Sequence, residues 1–108
     1  MTASITQASA FVAELLEVLE DLYWESPSIT VKNQCFNALR FLQNERTELT
    51  KISVQDHHYE YEIISCPAKD MEHCLTNLTQ LIEGEVLRAR TRSQLMPLLE
   101  SAKSYFSG

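Results

Sequence analysis

The chain has 108 residues and a mass of 12.4 kDa, the size of one domain. With 44% hydrophobic and 22% charged residues it is too apolar for a disordered chain, and about two thirds of the unfolded surface can be buried without disulfide or metal staples. Nine Lys and Arg against fifteen Asp and Glu leave a net charge of −6, which argues against a surface built wholly to embrace nucleic acid or anionic lipid.

The first ten residues carry no positive charge, and Glu14, Glu17 and Glu20 interrupt the apolar stretch that follows. Neither a signal peptide nor a membrane span is expected from that pattern. Cys35, Cys66 and Cys74 are odd in number and lie within regular segments, so free thiols and a cytoplasmic setting are expected.

Ala8, Phe11, Val12, Leu15, Leu16, Leu19, Leu22 and Tyr23 recur at the three-and-four spacing of one helical face and predict a helix over 6–25, capped by Ser4 or Thr6. Pro27 pushes Ser26 out of the helical region and ends it. A second helix is expected from about Ser28 to Asn44, on a stripe of Val31, Cys35, Phe36, Leu39 and Leu42. The short link makes the pair a helical hairpin over about 6–44.

Over 49–65 the period changes to two. Thr50, Ile52 and Val54 alternate with Lys51, Ser53 and Gln55; Tyr59, Tyr61 and Ile63 alternate with Glu60, Glu62 and Ile64. That alternation predicts a β-hairpin turning at Gln55–His58, with edges open to another chain.

Pro67 suits the first turn of a third helix, whose stripe is Met71, Cys74, Leu75, Leu78, Ile82 and Val86. A fourth helix, capped by Thr91 or Ser93, runs through Leu95, Leu98, Leu99, Ala102, Tyr105 and Phe106, with Pro97 about one turn inside it. The helical pair spans about 67–106. The expected architecture is therefore α+β, mostly helical: four helices and one central β-hairpin, ordered α-α-β-β-α-α in a single domain.

The charge is blocked. Residues 1–31 carry −5, 32–51 carry +2, 52–87 carry −6 and 88–108 carry +3. Such blocks can satisfy one another, and each solvated pair is worth only about 0–1 kcal/mol. Asp56-His57-His58 and the Cys66, His73, Cys74 group carry residue types used for metal or acid–base work, but neither has ligand spacing that closes a site. Cys66, beside a helix start, is a candidate for a lowered pKa. Arg88, Arg90, Arg92 and Lys103 are candidate phosphate contacts, though a helix fans such residues around its axis. No phosphate loop or nucleophile elbow is present, so no catalytic residue, cofactor or metal is assigned.

A small acidic, non-catalytic protein-interaction module is expected: an adaptor, secretion-type chaperone, inhibitor or immunity-type partner that binds another protein or a second copy of itself. Its contact residues would be Trp24, Leu16, Val18, Tyr59, Tyr61 and Leu87. Trp24 is an aromatic anchor of the kind enriched in interfaces, Leu16, Val18 and Leu87 widen apolar faces, and the two tyrosines stand on the hairpin. The alternative is a winged-helix-like DNA-binding regulator. It requires 27–46 to split near Thr30–Asn33 and Lys32, Arg40, Arg46 and Lys51 to face phosphates.

Overall fold

Ser4 starts the first helix. Its hydroxyl accepts a hydrogen bond from the Gln7 amide at 3.2 Å while the Gln7 side chain accepts from the Ser4 amide at 2.9 Å, a reciprocal capping box. The computed structural model describes residues 3–84 and 89–106. It contains helix α1 (Ile5–Glu25), helix α2 (Ile29–Thr50), a single 3-10 turn at Val54–Asp56, helix α3 (Ala68–Glu83) and helix α4 (Ala89–Phe106). Ser28 caps α2 by accepting from the Val31 amide, and α3 ends at Gly84.

Each helix packs on two neighbours in a closed square: α1 on α2, α2 on α3, α3 on α4 and α4 back on α1. All neighbours run antiparallel. Gln34 of α2 donates to the Cys74 carbonyl of α3, Arg92 of α4 donates to the Ile82 carbonyl of α3, and Thr91 of α4 donates to Glu25 of α1. At the far end of the α1–α4 contact, Phe11 stacks on Tyr105 at 4.2 Å and meets Phe106 at 6.1 Å. The result is an up-down-up-down four-helix bundle. No helix among the described residues is long and apolar enough to cross a membrane.

The expected α+β class is corrected to all-α. Among the described residues there is no strand, and the β-hairpin over 49–65 is absent; one isolated antiparallel bridge joins Ser4 and Glu60. Two physical causes explain the difference. Helix α2 does not stop near Asn44, because Leu42, Glu45 and Leu49 continue its buried stripe at helical spacing and carry it to Thr50. The remaining segment is a 3-10 turn followed by irregular backbone, and it finds other partners than a strand. The Ile5 and Thr6 amides, unpaired at the start of α1, donate to the Tyr59 and His57 carbonyls, and the Tyr61 amide donates to the Ala3 carbonyl at 2.7 Å. The helix terminus takes the place of a second strand.

A buried carboxylate holds the other end of that segment. Glu45 is fully buried, and its oxygens accept from the Ile64 amide, from the Ser65 amide at 2.8 Å, from the Ser65 hydroxyl at 2.7 Å and from the Tyr61 hydroxyl at 2.5 Å. No cation is paired with it among the described residues. Four donors replace the water that the charge has lost, and charge-assisted bonds of this kind are the strong ones. Tyr61 thereby becomes a core residue, its ring edge-on to Phe106 at 6.3 Å.

The fourth helix also begins earlier than its expected cap. Thr91 and Ser93 lie inside α4, and Thr91 is buried against Glu25. Pro97 consequently sits two turns into the helix, where it offers no N–H to the Ser93 carbonyl; both residues are exposed. On α2, Phe36 is exposed and Ala38 takes the buried place.

Replacing Glu45 by Ala should destabilise the chain by about 3–4 kcal/mol in urea unfolding, since it strands buried donors. Tyr61→Phe should cost about 1–2 kcal/mol. A double-mutant cycle on the two should show strong coupling, and additive losses would rule out this anchor.

Candidate functional site

The end of the bundle formed by the α1–α2 link carries the most exposed aromatic group. Trp24 is 78% exposed in the last turn of α1, with its ring edge against Tyr23 at 5.2 Å. Lys32 reaches back from α2 and donates to the Tyr23 carbonyl at 2.7 Å. Its ammonium lies 4.6 Å from the Tyr23 ring centroid and 5.7 Å from that of Trp24. Helix α1 has no basic residue in its own last turn, so Lys32 supplies the positive charge that its C-terminal carbonyls favour. Ile29 and Phe36, 72% and 51% exposed, stand one turn either side of Lys32 on α2.

A groove between α1 and α4 leads away from this aromatic end. Its cavity is about 450 Å³, with Glu14, Glu17 and Asp21 on the α1 wall, Arg90 on the α4 wall, and Val18, Pro97 and Leu98 as apolar lining. A second hollow continues it past Asp21 and Arg90 to Trp24 and Glu25.

The six contact residues read from the sequence do not assemble into one surface. Trp24 is on this end. Tyr59, 58% exposed, is at the opposite end, where its carbonyl meets the Ile5 amide; nineteen residues of helix separate Ile5 from Trp24, roughly 28 Å. Tyr61 is buried on Glu45. Leu16 and Val18 are 4% and 7% exposed and belong to the core. At 100° per residue they lie about 160° apart, at the two edges of a face that packs on both α2 and α4. A helix with two neighbours needs that width, so Leu16 and Val18 pack mainly inward and only an edge of Val18 reaches the α1–α4 groove. Leu87 lies outside the described residues, as do Val86 and Arg88.

Ile29 and Phe36 were not among those six, nor were Val54 and Ile64, which are exposed on the α2–α3 connection. Phe36 had a sequence signal: it is 100° around the helix from Cys35, away from the Val31, Cys35, Leu42 line. The basic residues also disperse. Arg92 caps α3, Lys103 pairs with Glu100 at 3.1 Å, Lys51 pairs with Glu48 at 3.1 Å, and Lys32 is engaged on α1. Helix α2 runs unbroken through Thr30–Asn33, so the helix-turn-helix and wing of the winged-helix arrangement are not formed.

No group of three His, Cys, Asp or Glu residues that could hold a metal occurs among the described residues. The His57 ring contacts the Ile52 carbonyl at 3.2 Å, and His58 leans on Tyr59. Burial pushes the Cys35 thiol up to about 12 and the Cys74 thiol up to about 11. Cys66 is raised as well, again chiefly by burial, which corrects the expectation of a lowered value at the helix start. All three cysteines are free. No protein family, curated protein or solved structure matches the chain.

The raised thiols set an alkaline limit. Below pH 9 folded and unfolded chains both keep the Cys35 proton, and the advantage of burying a neutral thiol is fully present. Above pH 9 only the unfolded chain releases it, so stability should fall by up to about 1.4 kcal/mol per pH unit, with Cys74 adding to the slope. Urea unfolding at pH 8, 9.5 and 10.5 should show this decline, and Cys35→Ala should flatten it. In native alkylation at pH 8, half-buried Cys66 should react before the other two.

Proposed function

We propose that the chain is a non-catalytic protein-interaction module that docks on another protein through the Trp24 end of the bundle. The observation that carries this is the exposure of Trp24 together with its fixation. A tryptophan left 78% open to water is costly surface, and here its ring is braced by Tyr23 and Lys32. A pre-positioned aromatic loses little entropy on binding and suits the centre of an interface. Ile29 and Phe36 extend the apolar surface alongside it. The three thiols, all protonated at neutral pH, suit a reducing, cytoplasmic setting.

The test is capture of a partner from the source lysate by immobilised full-length chain, compared with Trp24→Ala and Tyr59→Ala. A partner retained by the parent and by Tyr59→Ala but lost with Trp24→Ala is expected. The thermal midpoint of Trp24→Ala should stay close to the parent's, since surface changes rarely exceed about 0.5 kcal/mol. A partner held equally by Trp24→Ala, or capture of nothing by the parent, would sink the proposal.

A further inference from the structure

The groove between α1 and α4 shows what kind of segment such a partner would present. Glu14, Glu17 and Asp21 follow one another at i, i+3 and i+7, so they form a straight acidic ridge on one side of α1. Trp24 continues the ridge one turn further, at the mouth of the adjoining hollow. From Glu14 to Trp24 the ridge rises about 15 Å, close to three helical turns. None of the carboxylates of Glu14, Glu17 or Asp21 takes part in an ion pair among the described residues, although Arg90 lines the opposite wall of the same groove. Between the walls the lining is mixed: Pro97 and Leu98, with the edge of Val18, supply apolar surface beside the polar Ser93 and Gln94. An open acidic ridge, an apolar strip at Pro97 and Leu98, and an aromatic stop in the adjoining hollow lie along one trough.

We propose that this groove receives a cationic amphipathic helix of the partner, with Lys or Arg at i, i+3 or i+4, and i+7 facing Glu14, Glu17 and Asp21. An apolar edge of that helix packs on Pro97 and Leu98, and one apolar side chain covers Trp24. This deepens the proposed function and rests on it for the role of Trp24. Charge complementarity decides the occupant, because the ridge repels an acidic helix and a phosphate backbone alike. Spacing decides its conformation. Cations repeating with helical period match carboxylates repeating with helical period, and a helix laid between two helices completes the packing that α1 and α4 leave open. Arg90 stands where one acidic residue of the incoming segment would fix the register.

Three synthetic 15-residue peptides provide the probe: a Lys/Leu amphipathic helix, the same peptide with Glu for Lys, and a scramble of the Lys/Leu composition. Trp24 is the only tryptophan, so its fluorescence reports binding directly. The Lys/Leu helix should shift the emission with an affinity that falls as salt rises, while the Glu peptide does nothing and the scramble binds at least about fivefold more weakly. The triple variant Glu14→Gln, Glu17→Gln, Asp21→Asn should weaken binding by about tenfold or more. A control triple, Asp56→Asn, Glu60→Gln, Glu62→Gln, removes the same charge from the α2–α3 connection and should change affinity less than twofold.

Equal losses in the two triples, equal binding of the scramble, or no emission shift would each overturn the groove. So would parent self-association in sedimentation that the first triple abolishes, since the occupant would then be a second copy. If the lysate partner is lost with Trp24→Ala yet kept by the first triple, the interaction module stands and the groove falls. Loss with both variants supports both.

Discussion

The arrangement of this bundle depends on one buried anion. Glu45 sits on the inner stripe of α2, at a place where the helix would otherwise take a leucine, and four donors from 61–65 close around it. A carboxylate without a counter-ion is tolerable in a core only when its lone pairs are fully engaged. That requirement fixes where the chain must run after α2: the segment has to bring two consecutive amides and two hydroxyls to one point. Tyr61 follows into the core, and Ser65 delivers the chain to the start of α3. The long connection is thus an ordered cap on one end of the bundle, and its other end is tied to the first turn of α1.

The same arrangement explains the asymmetry between the two ends. At the capped end, unpaired helix amides, a polar carboxylate and two aromatic rings are all satisfied internally. At the other end a three-residue link and the last turn of α1 leave Trp24 and Ile29 uncovered. The difference between the ends lies in how the backbone is held, because Val54 and Tyr59 are exposed on the capping segment as Trp24 is at the other end.

Much of this was legible in the sequence, and the failures have a common source. Helix α1 and its stop before Pro27 hold, Ser4 proves to be the cap of the two offered, and the α3 stripe holds from Met71 to Ile82 as the α4 stripe does from Leu95 to Phe106. What misled was polarity in apolar places. Glu45 interrupts the α2 stripe on paper, so the helix seems to end too soon and Leu49 is stranded. The alternation over 59–65 puts Tyr59 and Tyr61 on one face, yet Tyr59 is exposed and Tyr61 is buried. It cannot say that the inward face meets a carboxylate and a helix terminus instead of a strand. Leu16 and Val18 failed for a different reason: the breadth of an apolar face reports how many neighbours a helix has, and only the closed square of contacts shows there are two. The exposure of Trp24 was legible because it stands next to the apolar face without belonging to it.

The double tethering of the α2–α3 connection has a dynamic consequence. Irregular segments ordinarily exchange their amide protons with solvent quickly, because they open without disturbing the core. Here the Tyr61, Ile64 and Ser65 amides point at the Ala3 carbonyl and the Glu45 carboxylate. Releasing them means freeing the start of α1 and exposing a buried charge in the same event. Those three amides, in a stretch with no regular structure, are therefore expected to exchange with the slow population of the helices, opening only when the bundle does.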